Sequence, residues 1–142
     1  MISTSVSAAV KLARAFTDRD LVARCAEHPF FSYDDWFIGS TPLTRGIPDA
    51  TVQQTKSFAF GNLESLRSLF EQYPGQIACV AMEPATTEHP PEGYLPAVKA
   101  LCREHGITVP IIPGLKILST KKQITALPKI FQCDIPQPFY EE

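Results

Sequence analysis

The stretch "QIACVAMEP", Gln76 to Pro84, is apolar at almost every position and carries no charge before Glu83. A strand with one face in water alternates polar and apolar residues. An unbroken run therefore predicts a strand covered on both faces, as in a parallel sheet. Its flanks agree. Upstream, "NLESLRSLFEQYPG" puts Leu63, Leu66, Phe70 and Tyr73 on one side of a helix that Asn62 caps and Pro74-Gly75 stops. Downstream, "YLPAVKALCREHG" sets Leu95, Val98, Leu101, Cys102 and His105 on one face and ends at Gly106.

The rest of the chain extends this alternation. Val6, Val10, Ala13 and Phe16 recur at helical spacing, predicting a helix over about 5–17 with Thr4 or Ser5 as its cap. "DLVARCA", Asp20 to Ala26, reads as a first strand and "SFAF", Ser57 to Phe60, as a second. Between them, residues 27–56 form a long loop rich in aromatics, Pro and Gly, of a length that compact domains use sparingly. "ITVPIIPGL" after Gly106 reads as a fourth strand, and its Pro110 points to a sheet edge. Thr120 and Gln123 have capping-box spacing for a last helix, which Pro128 should kink or end early. Its stripe of Ile124, Leu127, Ile130 and Phe131 is expected to bury near Ile111 and Leu115. Together these elements predict one α/β domain over residues 1–142: a three-layer α/β/α sandwich around a four-stranded parallel sheet of order 2-1-3-4, Rossmann-like or flavodoxin-like.

Charge and cysteine usage narrow the function classes. Thirteen basic and fifteen acidic residues give a net charge of -2, and no dense Lys/Arg run occurs. Nucleic acid and anionic membrane are thereby disfavoured as main partners. No apolar run reaches the roughly 18–20 residues that span a bilayer, and the N-terminus lacks a signal-peptide layout. Cys25, Cys79, Cys102 and Cys133 are far apart with no C-x-x-C pair, so buried free thiols in a reducing, cytoplasmic setting are expected.

In such a sheet ligands collect at the carboxyl ends of the strands. That edge should gather Ser3, Thr4 and Ser5 at the first helix, His28 after strand one, Glu83 after strand three and Pro113-Gly114 after strand four. A helix N-terminus with hydroxyls can hold an anion, or Thr4 or Ser5 can simply cap it, and the residues leave both readings open. Glu83 is a candidate general base or ligand anchor, equally a solvated loop carboxylate. His28, beside Pro29, reads as a solvated loop histidine, and His89 and His105 as surface residues without metal-ligand spacing. Phe30, Phe31, Tyr33, Trp36 and Phe37 suit stacking on a planar cofactor, but without polar anchors they read better as a plug or an interface. Nucleotide-binding, nucleophile-elbow and metal motifs are all missing from the sequence.

Four further stretches carry a family resemblance. "SAAVKLARAFTDRDLVARC", "DDWFIGSTPLTRGIP", "LESLRSLFEQYPGQIACVAMEP" and "GYLPAVKALCREHG" follow one another in the chain. With them, residues from about 3 to 106 resemble the large domain of class III pyridoxal-phosphate-dependent aminotransferases of the glutamate-1-semialdehyde aminomutase kind. The resemblance implies a cofactor-phosphate grip at the first helix, matched in part by Ser3 and Thr4. It also implies an acid on the next strand for the pyridine nitrogen, and a later lysine. "ITVPIIPGL" has no acid, and the lysine has no counterpart. From Gly106 on, "VPIIPGLKIL" and "LPKIF" with "DIP" are similar to a strand-helix piece of methylenetetrahydrofolate reductase, a TIM barrel whose flavin- and folate-binding residues lie mostly on other strands. The two resemblances imply an engineered chimera with its seam near His105 to Thr108: a scaffold that needs no cofactor and has no native enzymatic activity. The alternative is a weak phosphate or pyridoxal-phosphate binding module on Ser3, Thr4 and Ser5, with Glu83 nearby. A homodimer through the 27–56 loop is also compatible with the exposed aromatics.

Overall fold

The computed structural model describes residues 2–28, 32–84, 89–111 and 120–131, with residues 2–3 and 130–131 by backbone alone. The elements run α1 (Ile2–Thr17), β1 (Leu21–Cys25), α2 (Asp35–Ile38), α3 (Asp49–Val52), β2 (Thr55–Phe58), α4 (Leu63–Gln72), β3 (Ile77–Ala81), α5 (Tyr94–Glu104) and α6 (Lys121–Phe131). β1 is the centre of a parallel sheet ordered β2-β1-β3. Its side chains alternate between two cores. Ala23 and Cys25 face Leu66 and Phe70 of α4 and Val98 and Leu101 of α5. Val22 faces Val10 of α1 with Trp36 and Phe37 of α2. The α/β sandwich expected from the sequence is therefore present, and the doubly covered run at 77–81 is indeed a strand of it.

Local signals explain the helix ends. Asn62 Oδ1 accepts the Ser65 amide at 3.0 Å, the expected cap of α4. At the end of α5 the Ile107 amide reaches back to the Cys102 carbonyl at 2.8 Å while Gly106 takes φ +75°. This is the glycine-stopped turn that terminates helices. Gln123 Oε1 accepts the Thr120 amide at 3.3 Å, the side-chain half of a capping box for α6.

Four expectations need correction. The described residues form three strands rather than four, so the order 2-1-3-4 is not realised. Residues 107–111 follow α5 without strand structure, and 112–119 lie outside the described residues. The physical reason is visible at the open side of β3. The Ile107 amide is spent on the helix stop, and Pro110 has no amide to give. Arg19 Nη1 donates to the carbonyls of Ile77 (3.2 Å) and His105 (3.0 Å), occupying the acceptor on which a fourth strand would start. Ile107 and Val109 still point into the α4–α5 core, so the segment packs without pairing.

Second, Ile111 is 75% exposed, so the expected bed for the α6 stripe is not formed there; Leu115 lies outside the described residues. Third, α6 runs through Pro128 to Phe131 instead of ending at it. Fourth, β2 covers Thr55–Phe58 instead of 57–60, because the Ala59 amide turns to Ser65 Oγ (3.0 Å) and the Phe60 amide to Glu27 (2.9 Å). The long 27–56 connection also holds two short helices, α2 and α3.

Cys25, Cys79 and Cys102 are free thiols, each pushed by burial from 9.0 to about 11, and Cys133 lies outside the described residues. Among the described residues no helix is long and apolar enough to cross a membrane. Leu66 is fully buried between sheet and helix, whereas Asn62 stabilises one helix end. Chemical denaturation should therefore show Leu66→Ala losing about 2–5 kcal/mol and Asn62→Ala only about 1 kcal/mol. The reverse ranking would contradict this core.

Candidate functional site

The carboxyl edge of the sheet is where β1, β2 and β3 release their chains, and three side chains tie those exits together. Glu27, two residues past β1, accepts the Phe60 amide at 2.9 Å and the Cys25 thiol at 3.3 Å through Oε2. Partial burial alone would raise its carboxyl pKa, but the amides and the thiol stabilise the anion and bring it below the ordinary value. His28 accepts the Glu83 amide on Nδ1 at 2.7 Å and lies 4.7 Å from the Phe60 ring. Arg24 carries its guanidinium 5.0 Å over the Phe37 ring, with long hydrogen bonds to the carbonyls of His28 (3.5 Å) and Ser40 (3.4 Å). Burial lowers the Arg24 pKa, while the charges of Cys25 and Glu27 hold it up. Its Nε has no partner among the described residues.

Beside this edge, α1 meets the loop after β1. Ser7 Oγ and Ser32 Oγ are 2.8 Å apart, Trp36 Nε1 donates to Ser7 Oγ at 3.0 Å, and the Asp34 amide donates to Ser32 Oγ at 3.1 Å. The network fixes the start of α1 at the carboxyl edge, since Ser32 follows β1. At its other end, Arg14 binds the Asp20 carbonyl ahead of β1. A cleft of about 470 Å³ opens here. Thr4, Ser7 and Lys11, on one helical face at spacings of three and four, form one wall. Tyr33, Asp34 and Asp35 form the other, above Ser32.

The expected site residues are thus scattered. Thr4 lines the cleft, Ser5 is exposed and the side chain of Ser3 lies outside the described residues. Glu83 is half-buried with its carboxyl pKa raised by desolvation, but it does not line the cleft. His28 is corrected outright: it is 5% exposed rather than solvated. Trp36 and Phe37 are buried as a plug, Tyr33 is 63% exposed, and Phe30 and Phe31 lie outside the described residues. His105 is not a free surface side chain either; it stacks on Phe70 at 4.5 Å and 3°. Sequence reasoning missed Ser7, Lys11, Ser32, Asp34 and Asp35. The stripe Thr4, Ser7, Lys11 was available as a signal, but the serine pair joins residues 25 apart and left none.

Pyridoxal phosphate is the group that the sequence resemblance implies. Its phosphate would find Lys11 and the α1 amides, but also Asp34 and Asp35 in the same cleft. Nor does any acidic residue occur from Gly106 to Thr120 to pair with a pyridine nitrogen. The residues of this cleft do not fit the group. Among the described residues no cluster of ligating side chains could hold a metal ion either.

The His28 contact has a pH signature. Its pKa is lowered from 6.5, mainly by burial, and an Nδ1 that accepts an amide must be unprotonated. The unfolded chain takes up this proton at a higher pH than the folded one. Stability linked to His28 is therefore complete above about pH 6.5 and falls as pH drops below it. The thermal midpoint should decline from about pH 6.5 downward, a slope that His28→Phe removes; an unchanged slope in that variant would refute the linkage.

No family model matches the sequence. Solved structures do share its fold. An omega-transaminase from Sphaerobacter thermophilus superimposes with a TM-score of 0.66 at 24% identity, covering 75% of this chain and 28% of that one. The FumI protein of Sphingopyxis sp. MTA144, determined in a PLP internal aldimine form, gives 0.64 at 26% identity, with 75% and 26% covered. An S-selective transaminase from Arthrobacter sp. with alanine bound gives 0.62 at 19%, with 75% and 30% covered. The chain thus spans less than a third of the transaminases it matches, and its α/β fold is similar to a portion of theirs.

Proposed function

We propose that the chain is a non-catalytic α/β scaffold, in which an aminotransferase-like portion up to about residue 106 continues into a segment of barrel ancestry, as in an engineered chimera. The observation that carries this reading is the behaviour of residues 107–111. They leave α5 on the open side of β3, pack Ile107 and Val109 into the core, form no ladder, and bring no acid or base to the carboxyl edge. A site for chemistry on a cofactor ring needs a charged partner fixed on that side of the sheet; this segment supplies apolar packing alone. The apparent change of character at Gly106 coincides with a complete helix stop, a point where two βα pieces could be joined without disturbing either. The chain's modest charge and its cleft of mixed sign favour no nucleic acid.

The rival reading is a phosphate or pyridoxal-phosphate binding module on Ser3, Thr4 and Ser5. It draws support from the position of the α1 N-terminus at the carboxyl edge and is opposed by Asp34 and Asp35 across the cleft. NMR titration with millimolar pyridoxal phosphate, alongside an amine-transfer assay, separates the two. The scaffold reading expects no turnover and no saturable shift at the amides of Ser3 to Val6, with any labelling confined to surface lysines such as Lys121 and Lys122. A saturable shift confined to Ser3–Val6 would install the rival, and turnover abolished by Glu83→Gln would overturn both.

A further inference from the structure

Among the described residues, the hydrogen bonds on the floor of the α1 cleft do not close. Ser7 Oγ already accepts from the Trp36 indole, and Ser32 Oγ already accepts from the Asp34 amide. One hydroxyl hydrogen lies between the two serines, 2.8 Å apart. Each serine has one such hydrogen, so a second remains, and it has no acceptor among the described residues. Ser7 is 7% exposed and Ser32 1%, and both line the cleft, so the odd donor lies where bulk water reaches poorly. A buried donor without an acceptor is costly and marks a place for a ligand atom or an ordered water.

The walls say what kind of atom. Lys11 and Thr4 add donors on the helix side; Asp34 and Asp35 offer acceptors opposite, and one Asp34 oxygen already caps α2 through the Asp35 amide at 2.9 Å. A phosphate would satisfy the donors and be repelled by the two carboxylates. A simple cation would satisfy the carboxylates, face Lys11 and leave the serine hydrogen stranded. A neutral hydroxyl both donates and accepts, so vicinal hydroxyls can bridge the two walls. Tyr33, 63% exposed at the rim, presents a ring against which the C–H face of a sugar can lie. We propose that the cleft between α1 and residues 32–35 is a binding site for a neutral polyhydroxylated ligand of the pyranose type, with the Ser7–Ser32 pair donating to one of its oxygens. The site is separate from the scaffold reading, which stands whether or not a sugar binds.

The chain has a single tryptophan, so its indole N–H is an unambiguous reporter of the pair. When a ligand oxygen accepts from the serines, the Ser7 oxygen becomes a better acceptor for Trp36, and the indole proton should move downfield. NMR titration of the full chain with methyl α-D-glucopyranoside should shift that proton and the amides of Ser32 to Asp35 saturably. Tyr33→Ser and Asp35→Ala, both at exposed positions, should each weaken binding roughly three- to tenfold while leaving other resonances in place. Inorganic phosphate and tetramethylammonium serve as charged comparisons. No saturable indole shift with the glucoside, affinity in both variants unchanged from that of the unsubstituted chain, or tighter binding of either ion would overturn the assignment.

Discussion

Everything in this fold is hung on β1. It is the strand paired on both edges, and Val22, Ala23 and Cys25 are completely buried between two helix layers. At about 1.5–3 kcal/mol for each large side chain that packs against it, the two cores around this strand hold α1, α4 and α5 in place. Several polar ties at the carboxyl edge start from its end: Arg24 to the loop carbonyls, Cys25 to Glu27, Glu27 to Phe60 and His28 to Glu83. These contacts spend the titratable groups on structure. A histidine that accepts a backbone amide and a carboxylate that accepts another are held in single protonation states, which suits a clasp better than an acid or base.

The opposite situation holds at the open side of β3. There the chain has the approach to a fourth strand without its hydrogen bonds, and Arg19 covers the first free carbonyl instead. Arginine is suited to this because one planar group can reach two carbonyls and remain charged. Gly106 suits the turn beside it because its φ is +75°, a conformation that other residues rarely adopt. The turn after α5 is therefore closed by its own hydrogen bonds beside the open side of β3.

Sequence reasoning reached the strands and helices wherever one periodicity dominated. It recovered α4 with its cap, α5 with its glycine stop and most of the span of α1, but α1 begins at Ile2, so Thr4 and Ser5 lie inside the helix instead of capping it; the continuous run at 77–81 announced a doubly covered strand. It failed where a residue's partner lies far along the chain. His28 looked solvated because nothing near it in sequence predicts the Glu83 amide 55 residues away. β2 was displaced by two residues because Glu27 and Ser65 take the amides that would have extended it. The candidate cleft was legible only as half a wall, the Thr4–Ser7–Lys11 stripe.

What the sequence determined by itself was the class of fold and the elements with one dominant period, α1, α4, α5, β1 and β3, since hydrophobic period and turn chemistry act over a few residues and are written in order along the chain. Tertiary structure alone decided how many strands pair, because pairing depends on which backbone groups remain free once Arg19, Pro110 and the α5 stop have acted. It also decided that Ser7, Ser32 and Trp36 meet. The shared hydrogen bonds of the two serines are a property of that meeting, and no single segment contains them.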